Sequence, residues 1–324
     1  MRLHQLVVLL AVAAGLVACS REAARTSDFK VALLTPGPVS DQSWNGGAYR
    51  GLLGIRDSLG AQVSHVQTKT PGDIEENFRE YGSRGYALVF GHGFEFQDAA
   101  RRVAPLFPKT VYVTTSGNTA GENLAGIAFN FADASYLAGM VAASMSKSGV
   151  LGVVGGTDLP PVKESFTAFE AGAKSINAKV RVLTAYIGNW DDVSAGKEQA
   201  IAQIGKGADV IFQNADAAGL GVFQAVRERK GVLIVGSNSN QNSVAPDATL
   251  GSVVIDLPRA FLLIARDVKA GTFRPRVVTF DSRSGVVELV MNPAMLDRVS
   301  SGVRAKVDSV RVLMHEGKFS AAIR

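Results

Sequence analysis

The chain holds two tryptophans, and each lies among small and polar residues, not in an apolar run. Trp44 sits in SDQSWNGGAYRGL with Asp41, Ser43 and Asn45 beside it; Trp190 sits in GNWDD, between Asn189 and the pair Asp191 and Asp192. A flat apolar face flanked by directional hydrogen-bonding groups suits capture of a planar polar ligand. Stacking a base on an aromatic side chain is worth about 1–3 kcal/mol, and carboxylate and amide groups read the edge of a ring. The same positions suit packing, with Trp44 as the first apolar residue of an amphipathic helix and Trp190 as a lid over the edge of the core. Position alone leaves both readings standing.

Groups for catalysis are sparse. Of the four histidines, His4 lies at the start of the chain, while His65 and His315 have no evident partners. His92, in GHGFEF, suits a base, a hydrogen-bonding wall residue or a satisfied surface histidine. LGVVGGTD is glycine-rich but is neither G-x-G-x-x-G nor a P-loop, and no G-x-S-x-G elbow occurs. No histidine pair has metal-ligand spacing, so neither a metal nor another cofactor is expected, and the chain does not read as an enzyme. Glu95 and Asp98 read as helix-start acids and Asp192 as an N-cap. Asp216 and Asp256 read as groups that line a cleft or stabilise loops.

These residues need a scaffold that gathers them. Short β-branched runs alternate with longer helix-like segments, the pattern of parallel βαβ units. Strands are expected at Lys30–Thr35, Gln62–Val66, Ala87–Phe90, Thr110–Thr115 and Leu124–Phe129, with helices at Trp44–Leu59, Gly72–Gly82 and Phe94–Pro105 between them. A second series follows the helix-like FNFADASYLAGMVAASMSKSG, with strands at Val150–Val154, Lys179–Ala185, Ala208–Phe212 and Val232–Val235. Its helices are expected at Pro161–Ile176, Asp192–Ile204 and Gly219–Lys230. Then come a strand, an Asp-Leu-Pro turn, a helix closed by Gly271, a β-branched stretch Val277–Val290 and a last helix from about Pro293. This is an α/β chain of two doubly wound parallel-sheet lobes, joined by several crossings that act as a hinge, with a cleft between. The first lobe takes 29–130 plus about 256–290, the second 131–255 plus about 291–324. Ligands of such sheets bind outside the carboxyl ends of the strands, where both tryptophans, His92 and Gly93, Thr115 and Ser116, Asp216 and Gly219, Asn238 and Asp256 fall.

Composition fits this picture. Hydrophobic residues make up 47% and charged residues 19%, which reads as globular. The net charge of +5 is mild, and basic residues alternate with acidic ones, so no nucleic-acid partner is expected. A short basic start, an apolar run from Leu6 to Ala18 and the sequence Leu-Val-Ala-Cys read as a lipoprotein signal peptide over residues 1–18. Cys19, the single cysteine, would then carry the lipid, followed by a polar tether over 19–28. The expected location is the cell envelope, lipid-anchored to a membrane and facing the periplasm or the exterior.

Several ordered motifs carry a resemblance: SDQSWNGGAYRGL, GHGFEFQDAARRVAPLFP, FADASYLAGMVAA, LGVVGG before Thr157, AFEAGAK, GNWDDVSAGKEQAIAQIGKGADVIF and GLGVFQA. Over roughly Lys30 to Val290 the chain resembles the basic membrane protein family of substrate-binding lipoproteins. The resemblance implies a type I periplasmic-binding-protein fold that feeds an ABC importer, with its permease and ATPase as partners. Characterised relatives mostly bind purine nucleosides, with the base sandwiched between aromatics of the two lobes, an early Asp and Asn on the base, and acids and a lysine on the ribose. Asp41, Ser43, Trp44 and Asn45 match the early motif, Trp190 the second aromatic, and Asp216 to Gly221 the glycine-rich loop. The departures fall on the ribose side. Thr115-Ser116 stands where the family has an aspartate, Asn238 stands in place of another, and the family's lysine is replaced near Ile255. A planar heterocycle, either a purine nucleoside or a free nucleobase, is therefore expected. Two other readings are a sensor that shows its closed form to a membrane receptor and an enzyme acting on a small ligand. The signal segment and the lack of DNA-binding helices argue against a transcription regulator of related fold.

Overall fold

The computed structural model describes residues 28–41 and 43–321. The signal segment, Cys19 and nearly all of the tether lie outside the described residues. Twelve strands form two six-stranded sheets. The first takes β1 (Lys30–Thr35), β2 (Gln62–Gln67), β3 (Leu88–His92), β4 (Val111–Thr115), β5 (Leu124–Phe129) and β11 (Val277–Phe280), in the order β2-β1-β3-β4-β5-β11. The second takes β6 (Val150–Gly155), β7 (Arg181–Tyr186), β8 (Val210–Asn214), β9 (Leu233–Asn238), β10 (Thr249–Ile255) and β12 (Val287–Met291), in the order β7-β6-β8-β9-β10-β12. The two orders are the same pattern repeated, and all neighbours are parallel except β10 and β12. Inner strands such as β3 and β8 are buried on both faces, as parallel strands covered by helices must be.

Nine helices cover the sheets among the described residues: α1 (Trp44–Leu59), α2 (Pro71–Ser83), α3 (Gln97–Val103), α4 (Phe131–Met145), α5 (Pro160–Ile176), α6 (Val193–Gly205), α7 (Gly219–Arg227), α8 (Leu257–Lys269) and α9 (Ser301–His315). Their starts follow from local chemistry. Thr70 and Asp73 form a capping box on α2, and Asp192 caps α6 by accepting from the Ala195 N–H at 2.9 Å. α4 and α5 approach very closely: a Cβ on Gly139 or on Gly172 would come within 1.9 Å of a carbonyl oxygen of the other helix. No described helix is long and apolar enough to cross a membrane.

The chain passes between the lobes three times: from β5 into α4, from β10 into α8, and from β11 to β12. α8 packs on α1, and Phe261 stacks on Phe90 of β3 at 4.1 Å, which fixes the returning segment to the first lobe. The β-branched stretch Val277–Val290, expected in the first lobe, is divided. β11 joins the first sheet and β12 the second. Between them Asp281 accepts from the N–H groups of Arg283 and Ser284, and Gly285 takes a φ of +63°, which turns the chain across.

Candidate functional site

The site is built on the turn from β1 into α1. The Asp41 carboxylate is 1% exposed and accepts four hydrogen bonds: from the N–H of Ser43 (2.9 Å), Asn45 (2.8 Å) and Gly46 (2.8 Å), and from Asn45 Nδ2 (2.8 Å). It thereby satisfies the free donors at the start of the helix, where negative charge is also favoured. Asp41 and Asn45, expected to read the edge of a ligand, are buried and do not line the cavity between the lobes, and the Asn45 side-chain oxygen is buried without a partner among the described residues.

Trp44 is held by what lies behind it. Its ring stacks on His92 at 3.9 Å and meets Phe129 edge-on at 6.0 Å. His92 is fully buried. Its Nε2 faces the Trp44 carbonyl oxygen at 3.1 Å and its Nδ1 faces the Thr115 hydroxyl at 2.9 Å. A carbonyl only accepts, so Nε2 carries the proton and Nδ1 accepts from Thr115. Burial holds His92 down at about 3, against an ordinary 6.5. His92 and Thr115, expected at the cleft, thus lie behind Trp44 as a neutral, hydrogen-bonded backing. His65, which had no evident partner in the sequence, bonds the Thr35 hydroxyl at 2.9 Å.

A pH effect follows for His92. Because its folded value lies below its unfolded one, its contribution to stability is complete above 6.5 and is lost as pH falls from 6.5 towards 3. Urea midpoints measured above and below 6.5 are expected to fall on the acid side in the wild type and to fall less in His92→Gln. An equal acid loss in both would show that another group is responsible.

Trp44 of the first lobe and Trp190 of the second line one cavity between the lobes. It encloses about 70 Å³, less than the sites that hold whole small-molecule ligands, so the lobes must part to admit one. Trp190 lies over Gly156, where a Cβ would meet its ring at 2.1 Å, and its carbonyl oxygen accepts from the Ala218 N–H at 3.0 Å. Ser116 (φ +54°), Asp216 (φ +50°) and Asn238 (φ +64°) follow or end strands β4, β8 and β9. They are the non-glycine residues with positive φ among the described residues, and all three line this cavity. Such backbone is sparsely populated and costs on the order of 1–3 kcal/mol per residue, and it gathers at ligand sites.

One side of the cleft is tied across the lobes. Asn238 Nδ2 donates to Asp216 Oδ1 (3.0 Å) and to Ser43 Oγ (3.3 Å), and Ser43 Oγ also reaches Asp216 Oδ1 (3.4 Å). Ser239 Oγ donates to the Ser43 carbonyl oxygen at 2.9 Å and accepts from Arg50 at 3.1 Å. Ser43 is therefore a lobe-to-lobe tie, buried beside the cavity. Burial first, then the negative charges of Asp41 and Glu95, push the Asp216 carboxyl well above the ordinary carboxylate range, against the bonds from Asn238 and Ser43. Glu95 also lines the cavity. Desolvation in the cleft raises its carboxyl above the ordinary carboxylate range, and its exposure to solvent limits that rise.

Of the other expected residues, Gly93 lines the cavity. Gly219 does not; it opens α7, where a Cβ would meet Gln213 at 2.1 Å. Asp256 does not either, since it caps α8 by accepting from the Arg259 N–H at 3.0 Å and faces a separate depression beside Arg50 and Ser239. Glu95, expected only as a helix-start acid, is a cavity residue instead. It occupies a short 3₁₀ turn in which Phe96 takes the core position and Glu95 the cleft. Phe94, Phe129 and Phe131 also line the cavity and were not anticipated.

The profile of the Bmp family, described as "ABC transporter substrate-binding protein PnrA-like", matches residues 29–310. The transcriptional activator protein med of Bacillus subtilis (strain 168) is 26% identical over 91% of this chain and 92% of its own length. The ABC transporter nucleoside-binding protein BmpA of Lactococcus lactis subsp. cremoris is 29% identical over 94% of this chain and 95% of its own. Among solved structures, an ABC transporter solute-binding protein from Aeropyrum pernix K1 superposes with a TM-score of 0.84, at 21% identity, covering 90% of this chain and 92% of that one. Two parallel-sheet α/β lobes, a cleft at the strand ends and a family match across nearly all the described residues agree. The chain belongs to the Bmp family, the PnrA-like substrate-binding proteins of ABC transporters, which bind solutes and are not enzymes.

Proposed function

We propose that this receptor captures a planar heterocycle, a purine nucleoside or nucleobase, and delivers it to an ABC permease and its ATPase. A lipid on Cys19 would hold it to a membrane of the cell envelope, facing the periplasm or the exterior. The observation that carries the ligand reading is the placement of Trp44 and Trp190, one from each lobe, on a single cavity whose other walls are largely apolar. Closure of the lobes would bring the two indole faces to the ring. The similarity to the nucleoside-binding BmpA of Lactococcus lactis supports a nucleoside. Binding shifts the open–closed balance only as far as the ligand prefers the closed form.

The test is a thermal-shift and calorimetry panel of nucleosides, free bases, other flat heterocycles, sugars and amino acids. A response confined to sugars or amino acids overturns the reading. Trp190→Ala is expected to weaken binding of the best ring by about 1–3 kcal/mol. Because Trp190 is only partly buried, the unliganded fold should lose less than it does on truncation of Trp44.

A further inference from the structure

We infer that the cleft selects heterocycles bearing a positive charge, with Glu95 and Asp216 as counter-charges and the aromatic walls as cation-binding faces. This rests on the planar-ring reading above and narrows it.

The cavity takes one carboxyl group from each lobe, Glu95 from the first and Asp216 from the second, and among the described residues no lysine, arginine or histidine lines it. The chain as a whole carries a net charge of +5, so the acidic character is local. The surroundings supply no hidden cation. His92, behind Trp44, has both ring nitrogens committed as a neutral imidazole. Asp41, behind the turn, adds a further negative charge. Lys69 lies at the rim, exposed, 3.6 Å from Asp191, and Arg50 is engaged with Ser239. No basic side chain acts on Glu95 or Asp216.

Indole and phenyl faces carry partial negative charge and attract cations, most strongly where water is excluded. Trp44, Trp190, Phe94, Phe129 and Phe131 supply such faces around the two carboxyls. A neutral ring leaves both acids without a counter-charge, so they hold protons. A cationic ring favours their ionised forms and releases protons, so its affinity should rise as pH increases through the range in which the raised Glu95 carboxyl titrates.

The test uses calorimetric titration of the whole chain with matched neutral and charged rings: nicotinamide against 1-methylnicotinamide, and adenosine against 1-methyladenosine, whose ring holds a proton at neutral pH. The charged member of each pair is expected to bind at least about tenfold tighter, and Glu95→Gln is expected to collapse that ratio. Equal binding of both members, or tighter binding of the neutral one, overturns the charge inference and leaves the planar-ring reading standing. If no flat ring binds, charged or neutral, the planar-ring reading falls and takes this inference with it.

Discussion

Truncation of Trp44 to alanine should lower folding stability by about 3–5 kcal/mol, the range for removing a large buried aromatic, and should abolish tight ring binding as well. Trp44 is 9% exposed and belongs to the core that runs through both lobes. One face lies on His92 at 3.9 Å, and an edge meets Phe129. The alanine variant leaves a cavity beside a buried imidazole, and water entering it would let the His92 value climb towards 6.5. Urea denaturation without ligand measures the first effect, with an unchanged m-value confirming that the denatured state is the same. The histidine ring signals followed against pH measure the second. A stability loss below about 1 kcal/mol with binding abolished would mean that Trp44 serves the ligand alone.

The second large effect is expected at Asp41. Asp41→Ala removes the acceptor for three backbone N–H groups and one amide, all buried. Hydrogen bonds to a charged group contribute about 1.5–3 kcal/mol each. Water reaching the turn through the cleft offsets part of this, so a net loss on the order of 3 kcal/mol is expected. Asp41→Asn should recover part of it. Affinity should fall in step, because the turn orients Trp44. It should also become easier to ionise Asp216, whose carboxyl is raised first by burial and then further by the Asp41 charge. An Asp41→Ala protein of full stability that no longer binds would make Asp41 a ligand-contacting residue, as the sequence alone suggested.

Regular elements were legible where local chemistry is strong. α1 spans Trp44–Leu59 and β5 spans Leu124–Phe129 as their residue patterns indicate, and Asp192 caps α6 as its position requires. The turn that divides Val277–Val290 was written in Asp281-Ser-Arg-Ser-Gly285, but β-branched residues on both sides concealed that the strands join different sheets. Site residues were legible as loop positions, not as roles. Asp41 and Glu95 are both acids near a helix start, yet one faces backbone N–H groups and the other the cleft. Which way each points depends on where Phe96 and Asn45 pack. The His92–Thr115 bond and the Ser43–Asp216 tie join residues 23 and 173 positions apart, and no local pattern signals such pairs. The positive φ at Asp216 and Asn238 follows a known tolerance of these residue types, whereas Ser116, legible as a strand-end position, carries no local signal of its positive φ.

The threefold passage between lobes also sets an order of assembly. Each six-stranded sheet completes itself with a strand made near the end of the chain, β11 at Val277–Phe280 and β12 at Val287–Met291. During synthesis neither lobe can close its edge when its own first five strands have emerged. Both must wait as partly open sheets, a state prone to wrong pairing. The two halves are thus not separable modules: a fragment ending near residue 145 lacks β11 and should fail to give a stable first lobe, one beginning there lacks α4, which packs closely on α5, and a deletion of the last fifty residues removes β11 and β12 and should harm both lobes together.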